Sequence, residues 1–112
     1  MQRGELRWAN AGGGFGRCPV LVVTATEIIA VLNTVTCAPI TTSLRAIPTR
    51  VALGIAEGLS EESEAVCDAL ASLRKIDIDT VPIGRLGDSR FGELDRAIAR
   101  SLDIRREHLL PA

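Results

Sequence analysis

Residues 18–24, Cys-Pro-Val-Leu-Val-Val-Thr, form an unbroken apolar run rich in β-branched side chains. Branching at Cβ favours extended backbone, and a short apolar run of this kind predicts a buried strand. The neighbouring segments fit the same plan. Residues 3–9 predict a first strand, and Ala11-Gly12-Gly13-Gly14-Phe15-Gly16 a flexible loop after it. Thr34–Thr41 alternates as a strand should, with Pro39 suggesting an edge or a bulge. Pro48 opens a further strand through Val51 and Leu53, and residues 26–32 can form a short helical turn.

Residues 60–73 carry two patterns. Ser60 suits an N-cap, Glu61 and Glu62 suit a first helical turn, and Val66, Ala69, Leu70 and Leu73 share one helical face. Local pattern alone favours a helix here. The C-terminal element is clearer. Ser89 can cap a helix over residues 90–102, with Phe91, Leu94, Ile98 and Leu102 recurring at steps of three and four. A flexible tail is expected from about residue 105 to 112. The fold class is therefore mainly β, a small barrel or twisted antiparallel sheet covered by a C-terminal helix.

With 112 residues, 46% hydrophobic and 24% charged, the chain fits one globular domain. No apolar run approaches the roughly 18 residues of a membrane span. The start, Met1-Gln2-Arg3-Gly4-Glu5, carries an acid and lacks an apolar segment, which leads to the expectation of a cytoplasmic protein. Cys18, Cys37 and Cys67 are odd in number and lack CxxC spacing, which argues against a disulfide framework and a structural zinc. His108 stands alone near the C-terminus and reads as a solvated tail residue. No metal or cofactor is expected.

Charge is uneven. Residues 1–50 hold five arginines against two glutamates, net +3, while residues 51–112 carry net −4. Arginine forks match phosphate oxygens, so a local anion patch is open, but general coating by nucleic acid is not favoured. The G-x-G-x-G of Gly12, Gly14 and Gly16 precedes a strand, whereas a dinucleotide fingerprint needs a helix next; a hairpin loop is the better reading. Thr41-Thr42-Ser43 ends a strand just before Arg45. Hydroxyls beside an arginine can hold a phosphodiester, and they are equally ordinary turn residues. Glu61, Glu62 and Glu64 read as a solvated acidic face. Asp68, set among apolar neighbours, is a site residue or a satisfied structural acid.

Five segments together resemble the MazF/PemK toxins, sequence-specific endoribonucleases of bacterial toxin–antitoxin pairs. They are Arg3-Gly4-Glu5-Leu6, Pro19–Val23, Ala38–Arg45 with Ile47-Pro48-Thr49, Val66-Cys67-Asp68, and Ile83–Leu86 with the following helix, in family order from residue 3 to about 104. The resemblance implies an SH3-like barrel working as a homodimer, with strand and not helix over residues 60–73, a groove for single-stranded RNA and a cognate antitoxin as partner. It implies metal-free cleavage in which the RNA 2′-OH attacks its own phosphate. An arginine beside the Pro-Val-Leu strand and a threonine after the Ala-Pro-Ile strand would act there; here these are Arg17 and Thr41, with Thr42, Ser43, Arg45 and Asp68 along the RNA.

The chain departs from the pattern in two places. The position directly before Pro19 is Cys18, not arginine, so Arg17 is offset by one residue and reversed in direction unless a bulge restores it. Ala69 and Ala71 replace the Gln and Arg that often follow the family's Cys-Asp, which bears on base recognition. Two other functions compete. A gyrase poison of the CcdB type ends in Trp-Gly-Ile, a tail absent from Glu107–Ala112. A catalytically weak barrel that binds RNA or a peptide is distinguished by incubation with long RNA and EDTA.

Overall fold

The computed structural model describes residues 1–111. Strands β1 (Glu5–Asn10) and β2 (Arg17–Val22) form an antiparallel hairpin, in register from Leu6 opposite Leu21 to Asn10 opposite Arg17. The glycine-rich segment is the hairpin loop, closed by the Ala11 N–H donating to the Gly16 carbonyl at 2.7 Å. Gly12, Gly13, Gly14 and Gly16 all have positive φ, a conformation that glycine adopts without a Cβ clash. A single helical turn, α1 (Thr26–Ile29), leads to β3 (Thr34–Thr41). Then follow β4 (Arg50–Leu53), β5 (Ser63–Val66), β6 (Ala71–Arg74), β7 (Gly84–Arg85) and the helix α2 (Phe91–Leu102). The strands run in the order β4-β5-β3-β2-β1-β7, with β6 also paired to β3.

Segment 60–73 is thus two strands and not a helix. Val66 ends β5 and Leu73 lies in β6, two strands that pair with different stretches of β3, Ile40–Thr41 and Thr34–Cys37, while Ala69 and Leu70 fall between them. Pro39 is not at an edge. It pairs with Val20 in the sheet interior, in the gap where the other partner of β3 changes from β6 to β5. A residue without an N–H costs least there.

Two clusters of buried side chains flank the sheet. One gathers Leu6, Leu21, Ala38, Ile40, Val51 and Ala65 under Leu94 and Ala97 of α2. The other gathers Ala9, Val20, Val22, Val35 and Cys37 with Ile29 of α1. Successive residues of β2 therefore enter opposite clusters, which explains why its sequence is apolar without alternation. Among the described residues no helix is long and apolar enough to cross a membrane.

One expectation at the C-terminal end is corrected. Ser89 is not a cap: it lies inside a 3-10 turn, Asp88–Arg90, that runs straight into α2, and no side chain caps the helix. The turn supplies carbonyl partners itself, the Arg90 N–H donating to Gly87 at 2.9 Å. Beyond the helix, Arg106–Leu109 form a 3-10 turn, in which exposed His108 accepts the Arg105 N–H through Nδ1 at 3.1 Å. Ala112 lies outside the described residues.

A close backbone approach joins β7 to the 3-10 turn after β4. A Cβ on Gly84 would fall 2.0 Å from the Glu57 carbonyl oxygen, and one on Gly58 would meet Ile83 at 2.6 Å. Backbone sits on both sides, so relief requires moving β7 off β1. Gly84→Ala should destabilise the fold by about 1–3 kcal/mol, read as a lower urea midpoint. An unchanged midpoint would show that this contact is not tight in solution.

Candidate functional site

Antiparallel pairing brings the start of β2 to the end of β3, so Arg17 and Thr41 lie at one rim of the sheet. The half-buried Cys18 thiol contacts the Ile40 backbone across this rim. Beyond Thr41 the chain turns: the Ser43 N–H donates to the Thr41 hydroxyl oxygen at 3.1 Å. This bond uses a lone pair of Thr41 and leaves its hydroxyl proton free to donate. Thr42, Ser43 and Arg45 follow, all exposed.

The loop carrying these residues has no regular structure and is anchored by Glu64, directly opposite Thr41 in β5. Glu64 is not on a solvated acidic face; it is 5% exposed, whereas Glu61 and Glu62 are open to solvent. Its carboxylate accepts the N–H groups of Arg45 at 2.8 Å and Ala46 at 2.9 Å, and Arg50 Nη1 at 3.2 Å. Arg50 Nη1 also donates to the Ser43 carbonyl at 3.0 Å. Ala46 is held at φ +51°, a conformation rare for alanine that two bonds to one carboxylate enforce. Burial pushes the Glu64 carboxyl upward, but the two N–H groups and Arg50 outweigh it and hold it below the ordinary value.

Arg17 faces the other way from Thr41. Register across β1 and β2 is unbroken, with no bulge, so Arg17 shares a face with Pro19 and with Trp8 of β1. Its guanidinium lies 5.8 Å from the Trp8 ring centroid and bonds Asp79 at 2.9 Å. A cleft next to this pair is lined by Trp8, Pro19, Thr42, Leu59, Glu61 and Ile83, among others. The rim therefore unites Thr41, Thr42 and Ser43, with Arg17 on one face. Asp68 is exposed and accepts the Thr49 hydroxyl at 3.4 Å, apart from the Arg17 cluster.

The cysteines are poorly suited to nucleophilic work. Burial pushes the Cys37 thiol up to about 12. Burial, with the Asp68 charge, pushes Cys67 up to about 11. Burial also raises Cys18, partly offset by its contact with Ile40. Among the described residues no three His, Cys, Asp or Glu side chains group as metal ligands.

Sequence reasoning missed Glu64 and Trp8. Glu64 sits in an acidic run, Glu61-Glu62-Ser63-Glu64, and only the alternation of β5 distinguishes it. In sequence Trp8 reads as one residue of a strand, and an aromatic beside a polar strand end is the only signal that marks it.

Residues 2–102 match the family model of the PemK-like, MazF-like toxins of type II toxin–antitoxin systems. The endoribonuclease MazF3 of Mycobacterium tuberculosis is 34% identical over 86 residues, which are 77% of this chain and 82% of that protein. Among solved structures, the Mycobacterium tuberculosis toxin MazF-mt6 superposes with a TM-score of 0.83 at 30% identity, covering 90% of this chain and 98% of that one. A mycobacterial endoribonuclease in complex with its cognate antitoxin shares the fold, with a TM-score of 0.79 at 24% identity over 94% of this chain and 97% of that one.

The Glu64 anchor predicts a pH dependence. Its folded pKa lies below the ordinary value of 4.5, so its stabilisation is complete above that value and is lost as pH falls through the folded pKa. Glu64→Gln should lower the urea midpoint at neutral pH and flatten the decline in acid. Parallel acid profiles for the two proteins would remove Glu64 as the cause.

Proposed function

Because the chain belongs to the PemK-like, MazF-like toxins, we propose that it is a sequence-specific, metal-independent endoribonuclease acting on single-stranded RNA as the toxin of a type II toxin–antitoxin pair. The observation that carries this reading is the 34% identity to an endoribonuclease across 77% of the chain. The protein works in the cytoplasm as a homodimer, and a cognate antitoxin covers its groove. An acidic or amphipathic segment of that antitoxin is drawn to the arginine-bearing rim.

The chemistry follows from the rim. The RNA 2′-OH attacks the adjacent phosphorus and loses its proton to water, while the bond to the 5′ oxygen breaks and that oxygen takes a proton from water, leaving a cyclic phosphate and a 5′-hydroxyl end. No enzyme nucleophile is needed. The free hydroxyl proton of Thr41 donates to a phosphate oxygen. Arg17 reaches over the rim from the opposite face and offsets the charge that develops there. Arginine keeps its proton at all working pH values, so its role is electrostatic. Thr42, Ser43 and Arg45 hold flanking RNA, with Asp68 farther along the strand.

Pure protein should cut long RNA into discrete bands in EDTA, leaving 5′-hydroxyl ends. Intact RNA at high enzyme concentration, or a need for magnesium, would sink the reading. Arg17→Ala and Thr41→Ala should each slow cleavage by about 10²–10³ with little change in melting temperature. Cys18→Ser should retain most activity. If Arg17→Ala cuts normally and Arg45→Ala is dead, the charge comes from Arg45.

A further inference from the structure

Trp8 is 43% exposed although it lies on β1, in the interior of the sheet. Its neighbours Arg7 and Ala9 are buried, so the exposed ring is a feature of one face and not of a frayed strand. On that face it stands opposite Pro19 and carries the Arg17 guanidinium 5.8 Å from its centroid. Aromatic rings and guanidinium planes are the two protein surfaces on which unstacked bases of single-stranded RNA lie. The cleft beside the pair has a volume of about 340 Å³, at the small end of ligand pockets. Its walls mix Pro19, Leu59 and Ile83 with the polar groups of Thr42, Ser60 and Glu61, which suits one planar heterocycle with a polar edge.

Thr42 ties this cleft to the chemistry. It lines the cleft and directly follows Thr41, so a base seated against Trp8 belongs to a nucleotide near the scissile phosphate. We propose that Trp8, whose ring Arg17 uncovers when it turns to the phosphate, forms a base-stacking subsite that binds one nucleobase of the RNA beside the cleavage point. The proposal rests on the endoribonuclease reading and deepens it. The subsite is a binding element: it raises affinity without taking part in bond breaking.

The chain has one tryptophan and no tyrosine, so its intrinsic fluorescence reports on Trp8 alone. The probe is a 2′-O-methyl single-stranded RNA oligonucleotide of mixed sequence, which cannot be cut by its own 2′-OH, with binding followed independently by anisotropy of an end label. Binding should quench or shift Trp8 emission with the same midpoint as the anisotropy. With cleavable RNA, Trp8→Ala should raise KM roughly tenfold, the size of one base–aromatic stack, with kcat nearly unchanged, and Trp8→Phe should restore most of the loss. A series of RNAs each lacking one base should show one position that weakens the wild type and leaves Trp8→Ala unaffected. RNA that binds without changing Trp8 emission, or Trp8→Ala with unaltered KM, overturns the subsite and leaves the endoribonuclease reading standing; that cleft is then free for a protein partner. Absence of both RNA binding and cleavage overturns both.

Discussion

Strand β3 bonds to β2 along one side and to β6 and then β5 along the other. This shared edge makes one sheet of segments distant in sequence and creates the curl of the half-barrel. It needs a position where neither outer strand demands a donor, and Pro39 fills it. It also needs side chains that are apolar on both faces, because each face meets its own cluster. The end of β3 is thereby one of the most constrained points in the chain. Thr41 is the residue at which that constraint stops and the exposed loop begins.

What keeps the loop from being floppy is one carboxylate. Glu64 gathers two backbone N–H groups and a guanidinium from residues 45, 46 and 50. Burying such a pair is costly, and it is not a source of net stability by default. The Arg50 Nε, buried and without a partner among the described residues, adds to that cost. The return is geometric. A loop pinned at Thr41 by the β5 pairing, at Ser43 by Arg50 and at Arg45 and Ala46 by Glu64 presents Thr42 and Ser43 in one arrangement, which would lower the ordering entropy of binding the proposed RNA.

Much of the fold was legible from residue pattern because its burial is extreme. The apolar run at 18–24 could only be an inner strand, and the alternation of Thr34–Thr41 gave β3 with its observed bounds. Elsewhere tertiary pairing overrode local preference. Residues 60–73 carry a fair helical face, yet β3 recruits them as two strands. Ser89 has capping chemistry that the 3-10 turn makes unnecessary. At the rim, the hydroxyl cluster was visible in the sequence, but Glu64 was not. Whether a carboxylate is solvated or buried depends on which face of a strand it occupies, and a run of acids conceals the face.

The arginines of the basic half of the chain differ in how easily they can change partners. Arg50 and Glu64 have side chains 11% and 6% exposed. Drawing Arg50 away would strand a buried charge, a cost of about 3–5 kcal/mol, so it is structural. Arg17 and Asp79 have side chains 51% and 45% exposed, and a pair that wet contributes about 0–1 kcal/mol. A phosphate offers Arg17 a charge-assisted, bidentate partner in exchange. Asp79 thus holds Arg17 at little cost beside the Trp8 face when no RNA is present. For the role proposed for Arg17, the one-residue offset that turns it from the Thr41 face is workable for the same reason. An arginine at a strand start, bound only by a solvated aspartate, can swing across the rim where a buried one could not.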